Sequence, residues 1–464
     1  MKNKLGLLAL VAVLSSAVYG ASIDHIQTYT PEYLGNQAQN GMINNASVYY
    51  NPAGLVHLEN GTYVQVGAQL AIGHEKMEYK GEELKADLFQ PIPNFAMYKV
   101  EEDSALYWTF GGIGGGGDLK YEDGVAGTAV IPDVVNALGG IDTIIKNPGI
   151  QGVSDPLIQI KIKNIKDSGS TAEGMNLYAQ TTLGKVWKVN DKLSLSAAGR
   201  VVYGIRELKG NLKLSGDVFY ENNQIMGNYP MNADIDSKRT AWGFGGQFGL
   251  NYKANDRLNF AMRYDTRIKL NFKAHGSENK VAGLNLGFSD FYPEYAIGTK
   301  ARRDLPAILA AGISYKVTDN WTVGLSGNYY FNKDAKMDRG SKNIQLAGNT
   351  IKGIEAEYDN GYEIALGTEY RFNPKWAVLG SVNYADTGAK VSSYDDIEYA
   401  LDSIMLGTGL KYNPDETTEW VFTVTHFFYD SEEGHYDVKY HGAVPNPSYD
   451  KSITAFGVSY TKRF

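Results

Sequence analysis

From Leu258 the chain alternates. The even positions read Leu258, Phe260, Met262, Tyr264, Thr266, Ile268, Leu270 and Phe272, and seven of these eight are apolar or aromatic. The odd positions read Asn259, Ala261, Arg263, Asp265, Arg267, Lys269, Asn271 and Lys273, and seven of these eight are polar. A period of two is the mark of a strand with one apolar face. The run is about twice the length of a soluble sandwich strand, which favours a tilted strand crossing a bilayer. The pattern recurs. Tyr362, Ile364, Leu366, Thr368, Tyr370 and Phe372 face outward against Glu363, Glu369 and Arg371. Trp321, Val323, Leu325, Tyr329 and Phe331 oppose Thr322, Ser326, Asn328 and Asn332. Trp242, Phe244, Phe248, Leu250 and Tyr252 oppose Gly243, Gly245, Gln247 and Asn251. Trp187, Trp242, Trp321, Trp376 and Trp420 are expected near strand ends, as an interfacial girdle.

Turn formers separate these runs. Tight turns are expected at 101–103, 190–191, 254–256, 318–320, 373–374 and 413–415, and longer loops near 80–88, 123–171, 215–236, 275–299, 333–351, 387–397 and 430–450. Six turns and seven loops make thirteen connections, hence a fourteen-stranded antiparallel transmembrane β-barrel over 61–464 with long loops outside. The last strand ends Phe456, Val458, Tyr460, Lys462, Phe464 on one face, and the terminal Phe464 is the expected address for the barrel-insertion machinery.

The first residues obey a different rule. Lys2 and Lys4 precede an apolar stretch from Leu5 to Val18, with small residues at Val18 and Gly20. This reads as a signal peptide over 1–20, cleaved near Gly20, rather than an uncleaved anchor. Residues 21–60 lack alternation and are rich in Gly and amide side chains, consistent with a compact plug inside the lumen or an external tail. An exported chain without cysteine needs another brace than disulfides, and a closed sheet supplies it by pairing every backbone group. The net charge of −8 argues against a nucleic-acid partner.

The stretch Tyr33-Leu34-Gly35, Asn40-Gly41, Asn44-Asn45-Ala46 and Tyr50-Asn51-Pro52-Ala53-Gly54-Leu55 resembles the hatch of the FadL/TodX family of outer-membrane transporters of long-chain fatty acids and other hydrophobic compounds. Pro93-Asn94-Phe95, Trp242-Gly243-Phe244-Gly245, Lys269-Leu270-Asn271-Phe272-Lys273, Leu305-Pro306 and 364–368 support it. The resemblance implies a fourteen-stranded barrel of the Gram-negative outer membrane. It implies an N-terminal hatch (21–60) gated around Asn51, Pro52 and Ala53. It also implies passive transport of a long-chain fatty acid or related hydrophobic ligand. On this resemblance the ligand is expected to be captured at extracellular loops and to leave sideways into outer-membrane lipid through a kinked third strand. No cofactor, metal or enzymatic activity is implied, and one chain is expected to act alone.

The third strand, expected from Ala105 to Tyr121, carries glycines at 111, 112 and 114–117. Glycine inside a strand weakens pairing and marks a bulge. Gly112, Gly114, Gly115, Gly116 and Gly117 are therefore the candidate exit kink, with packing beneath bulky side chains as the alternative. The run contains G-x-G-x-x-G, but no helix follows, which excludes a nucleotide loop. Two loops are unexpectedly apolar. Ile131, Val134, Val135, Leu138, Ile141 and Ile145 have helical spacing, with Pro132 near a helix start. Leu284, Leu286, Phe288 and Phe291 fill the other. They are expected either to line a ligand groove or to cap the barrel. The long loop follows the third strand here, where the family's long helical loop follows the fifth. Arg206 and Lys336 have lumen-facing parity and are the candidate partners of a carboxylate. Arg263, Arg267, Lys269, Arg371, Asp265, Glu363 and Glu369 are expected to form a lumen charge network. No metal-ligand spacing and no nucleophile elbow is present. A general aqueous porin, or an adhesin or receptor acting through the long loops, are the competing functions.

Overall fold

A computed structural model describes residues 28–464, except 116–117, 148, 150–153, 221–223, 282–286, 292, 339–343, 347–348, 352–357, 395–398 and 441. The signal-peptide expectation therefore lies outside the described residues. Alternating segments form fourteen wall strands: β1 (Gly61–Tyr79), β2 (Glu82–Val100), β3 (Ser104–Gly114, resuming at Leu119–Tyr121), β4 (Thr171–Lys188), β5 (Leu193–Tyr220), β6 (Gln224–Lys253) and β7 (Leu258–Asp265, resuming at Asn271–Glu278). They continue with β8 (Lys300–Arg302, resuming at Ile308–Thr318), β9 (Trp321–Tyr330), β10 (Gly361–Asn373), β11 (Trp376–Asp386), β12 (Ser403–Tyr412), β13 (Thr418–Tyr429) and β14 (Ser448–Arg463). Each pairs antiparallel with its neighbour, and β14 returns to β1 from Tyr63↔Arg463 to Glu78↔Ser448, closing the barrel. Among the described residues no helix is long and apolar enough to cross a membrane; the strands do the crossing.

The outward positions are the apolar ones. Ile364, Leu366, Tyr370 and Phe372 are exposed while Glu363 is buried toward the lumen. A sheet in hydrocarbon must present apolar side chains to lipid and pair its backbone completely, so exposure of these residues is the expected inversion of a soluble protein. Trp187, Trp321, Trp376 and Trp420 fall at the tight-turn ends of their strands. Trp242 does not: it sits midway along the 30-residue β6, packed on Tyr203.

Two expected loops are strand. Lys80 and Gly81, both at positive φ, turn the β1–β2 hairpin, so 82–88 continues the wall. Likewise β5 and β6 pair from Leu193↔Tyr252 to Tyr220↔Gln224, absorbing most of the supposed loop at 215–236. The loop between β3 and β4 contains a helix, α3, at Ala126–Ala137 (two shorter ones, α1 and α2, precede the barrel at Pro31–Gly35 and Ser47–Tyr50). Pro132 lies inside α3, not at its start. The helix stops at Gly139 and Gly140, both at positive φ, and Ile141–Lys146 then pairs with Leu157–Asp167 as a hairpin. Ile141 and Ile145 are thus strand residues, because the glycine pair breaks the helical period.

The long alternating run also breaks. Phe260, Met262 and Tyr264 are exposed as expected, but Ile268, Leu270 and Phe272 are fully buried. After Asp265 the chain folds into the lumen, bridging Ile268 to Leu305, and packs on the bare backbone at Gly243 and Gly245. A Cβ at Gly243 would lie 2.4 Å from Ile268 Cγ2 and 2.9 Å from Lys269 O. The infolded segment joins Ile113, Tyr178 and Val202 in an apolar cluster inside the barrel. Gly243→Val should overpack this contact and cost about 1–3 kcal/mol. Urea unfolding of the detergent-folded barrel measures it; an unchanged midpoint would show that the infold packs loosely.

Candidate functional site

Residues 28–58 lie within the ring of strands. Thr30 caps α1, its Oγ1 accepting from Tyr33 N at 3.3 Å, and Pro31 starts the helix. The segment meets the wall in two ways: Val48, Tyr50, Leu55 and Val56 pack on Tyr98, Tyr107 and Val186, and its amides pair with polar lumen side chains one by one. Tyr33 Oη donates to Glu363 (3.1 Å), Asn40 N to Ser326 Oγ (3.0 Å) and Asn40 Nδ2 to Asn328 Oδ1 (2.9 Å). Asn259 Nδ2 donates to Gly41 O (2.9 Å), and Arg263 to the carbonyls of Tyr49 and Tyr50 (2.6 and 3.1 Å). At Gly41 the backbones of plug and wall touch: a Cβ would lie 2.5 Å from Ile313 N. Asn51 ties two turns to the wall, donating from Nδ2 to Met42 O (3.1 Å) and Asn251 Oδ1 (2.8 Å). Pro52 opens a 3-10 turn, Pro52–His57, and the carbonyl of Ala53 accepts from Ser194 Oγ.

Part of the charge network exists. Arg263 pairs with Asp265 at 3.3 Å, and Glu369 with Lys411 at 2.9 Å and Arg371 at 3.5 Å. Arg267 instead leans to Asp304, outside the expected set. Glu32, on α1, is enclosed. Its carboxylate accepts from Gln65 Nε2 (2.7 Å) and Ser459 Oγ (2.5 Å). Burial raises its pKa above the ordinary glutamate value, and the nearby Glu419 adds to this.

The third strand is interrupted within the expected glycine run. Its ladder to β4 shifts register between Gly112 and Gly114, stops, and resumes at Leu119↔Gly174. Gly115 has φ +99°, and a Cβ there would lie 2.2 Å from Asn176 O. Gly112 is different: a Cβ would meet only Ile92 Cγ2, at 3.4 Å. Gly116 and Gly117 lie outside the described residues. On the other side β3 pairs with β2 only from Val100↔Ala105 to Asn94↔Gly111, whereas β1 pairs with β2 along its whole length. Among the described residues, the edge of β2 over 82–93 that faces β3 has no ladder partner. Phe89 on this stretch is 67% exposed, so the apolar band extends past the gap. Pro91 and Pro93 bring no N–H, and Pro91 O accepts from Gln90 Nε2. Proline inside a ladder is confined to free edges, and Pro91-Ile92-Pro93 is the sequence signal for this edge, one that period-two alternation does not carry. In the lumen behind the paired part of β3, a cavity of about 20 Å³ is lined by Thr109, Gln180, Arg200, Arg263, Asp265 and Tyr50 and reaches Ile113.

Above this chamber Arg206 and Arg239 stand directly opposite one another on β5 and β6, each 1% exposed. Arg206 Nε donates to Asn176 Oδ1 at 2.5 Å. Arg239 lies 4.0 Å beneath the centre of the Tyr295 ring. The parity argument found Arg206 and missed Arg239, whose partner across the hairpin becomes visible only once the two strands are in register. Lys336 lies beyond the end of β9, exposed and paired with Asp338 at 3.2 Å, so it does not join Arg206. Val134 and Ile141 are buried and Leu138 half-buried in a cluster that caps the barrel, together with Leu84, Ile160 and Leu212. Phe288 is buried over Gly210. Phe291 ends a short helix, and Leu284 and Leu286 lie outside the described residues. Among the described residues no group of three or more His, Asp or Glu could hold a metal ion.

A family model described as "Outer membrane protein transport protein (OMPP1/FadL/TodX)" matches residues 164–464. The long-chain fatty acid transport protein of Escherichia coli (strain K12) is 22% identical over 190 residues, 38% of this chain and 40% of that protein. Alkane uptake protein A of Marinobacter nauticus is 24% identical over 165 residues, 34% of this chain and 36% of that protein. The chain thus spans about two fifths of the length of the curated relatives it matches. Among solved structures, the P. putida toluene transporter TodX superposes with a TM-score of 0.59 at 14% identity, covering 95% of this chain and 99% of that one. A Pseudomonas aeruginosa FadL homologue gives 0.61 at 15%, covering 96% and 100%. These likenesses show the barrel fold.

The raised pKa of Glu32 has a consequence for the N-terminal segment. A carboxyl that binds its proton more readily when docked than in water favours docking at low pH. Its contribution is fully present below about 4.5, the solvated value, and is lost as pH rises through the docked value. Leak conductance in planar bilayers should therefore be lower at pH 4.5 than at pH 7, and Glu32→Gln should flatten that difference. A wild-type leak independent of pH would refute the coupling.

Proposed function

Because this chain belongs to the OMPP1/FadL/TodX family of outer-membrane transport proteins, we propose that it carries long-chain fatty acids or similar hydrophobic molecules across the outer membrane and releases them sideways into lipid. The observation that carries this reading is the interrupted β3 facing an unpaired edge of β2. A greasy molecule gains nothing from an aqueous pore, since its driving force is transfer into hydrocarbon. A wall gap offers that transfer directly.

The path begins in the apolar cap around α3 and passes the Arg206–Arg239 pair, which seats a carboxylate head group. It continues along the infolded cluster of Ile268, Leu270 and Phe272 to Ile113, beside the gap. The chamber there, at about 20 Å³, is too small for an acyl chain, so passage requires the N-terminal segment to shift. Residues 21–60 act as the hatch, with Asn51, Pro52 and Ala53 holding its lower turns, and the barrel spans 61–464. The hydrogen bonds binding this segment to the wall favour this reading over a general porin, which needs an open lumen. Deleting 35–51 should leave a folded barrel with raised single-channel conductance; unchanged conductance would place the segment outside the conducting path.

The exit is tested at Gly112. Gly112→Leu places a side chain into the gap against Ile92 without backbone strain, and should reduce uptake of labelled oleate while oleate binding and surface expression stay normal. Normal uptake would move the exit elsewhere. Gly115 is unsuitable for this test, because at φ +99° and against Asn176 O any Cβ distorts the strand itself.

A further inference from the structure

The arginine pair is already occupied by a carboxylate of the chain itself. Register sets Arg206 and Arg239 side by side, and two buried like charges are unfavourable unless a counter-charge joins them. Glu294 brings it, from a short 3-10 turn at Pro293–Tyr295 on the extracellular loop that follows β7. Its side chain is 5% exposed, and its Oε1 lies 4.0 Å from Arg206 Nη1 and 3.9 Å from Arg239 Nη2. Both distances exceed a hydrogen bond. Oε1 accepts none, and Arg239 Nε and Nη2 donate none. Glu294 neutralises the pair without bonding to it. The turn is otherwise held by Arg239 Nη1 donating to Glu294 O (3.0 Å), by Ser237 Oγ donating to Tyr295 O (2.8 Å) and by the Tyr295 ring over Arg239. Just beyond, Gly298 has φ +81° and open space around its α-carbon.

We propose that Glu294 is a built-in stand-in for the ligand's head group, and that the carboxylate of an incoming amphiphile displaces it and so lifts the segment 293–299 from the mouth of the lumen. The inference rests on the arginine pair being the head-group seat, as argued above. The exchange is neutral overall: one carboxylate enters the pair as another leaves for water. A free carboxylate is not constrained by a loop and reaches direct hydrogen-bonding distance of both guanidinium groups, roughly 2.8 Å, where Glu294 stays at 4 Å. A neutral amphiphile has no group to exchange and leaves the turn in place.

The test compares oleate with methyl oleate on the full-length protein in detergent. Hydrogen exchange over 293–299 should accelerate when wild-type protein binds oleate and stay unchanged with methyl oleate; slower exchange with oleate would overturn the proposal. Glu294→Gln removes the competitor and should tighten oleate binding by about tenfold, within the usual range of coupling between two ligands, with methyl oleate unaffected. Oleate binding no tighter than wild type would overturn it as well. Arg239→Gln separates the two levels. Unchanged oleate binding in that variant refutes the head-group seat itself. Weakened binding there, together with no gain in Glu294→Gln, refutes only the displacement. Heat-shifted migration of each variant in gels checks that the barrel is formed, and the wild-type exchange measurement needs no variant.

Discussion

Hydrocarbon gives an unpaired peptide group no partner, and each such group left in it costs several kcal/mol. Most of this molecule follows from that requirement. Fourteen strands close on one another through the β1–β14 ladder, so that the wall has no free edge along most of its circumference. Among the described residues the ladder is broken between β6 and β7, where the chain folds inward after Asp265, and between β2 and β3, where the break is chemically prepared. Pro91 and Pro93 carry no donor to leave unsatisfied, and the Pro91 carbonyl accepts from the neighbouring Gln90 side chain. Gly115 lets β3 turn away at positive φ. A gap in a membrane wall is expensive where ordinary backbone flanks it, and this one is flanked by residues that reduce the cost.

The interior obeys a complementary rule. Many lumen-facing positions are polar because they meet amides, hydroxyls and peptide groups of the N-terminal segment, and buried polar groups need partners; Val48, Tyr50 and Leu55 of the same segment pack instead against Tyr98, Tyr107 and Val186. The result is a set of single hydrogen bonds spread around the wall, from Asn251 through Ser326 and Glu363 to Ser459. No single one of these is strong in net terms. Such an arrangement holds the N-terminal segment in register through many individually weak contacts.

Among the described residues, apolar surface inside the barrel forms three clusters, one of them between the N-terminal segment and the wall at Tyr98 and Tyr107. The cap around α3 covers the outer mouth. The infolded residues Ile268, Leu270 and Phe272 narrow the lumen next to Ile113 and the gap. Between them lies the buried arginine pair with Glu294.

The sequence by itself determined the barrel and its fourteen strands, because period-two alternation and turn residues act locally and survive in any register; the contacts of the N-terminal segment with the wall and the broken β3 ladder come from the tertiary structure. The sequence also placed Arg206 on the lumen face by parity. It could not place Arg239 opposite, since that depends on the pairing of β5 with β6, or bring Glu294 between them from a loop some fifty residues further on. Alternation even misled at Ile268, Leu270 and Phe272, whose pattern is that of a lipid-facing strand. Their burial is decided by the bare glycine backbone of β6 across the sheet, which opens room inside the wall for the chain to fold into. Lys336 failed for the opposite reason: β9 ends before it, and beyond a strand's last paired residue parity no longer says which way a side chain points.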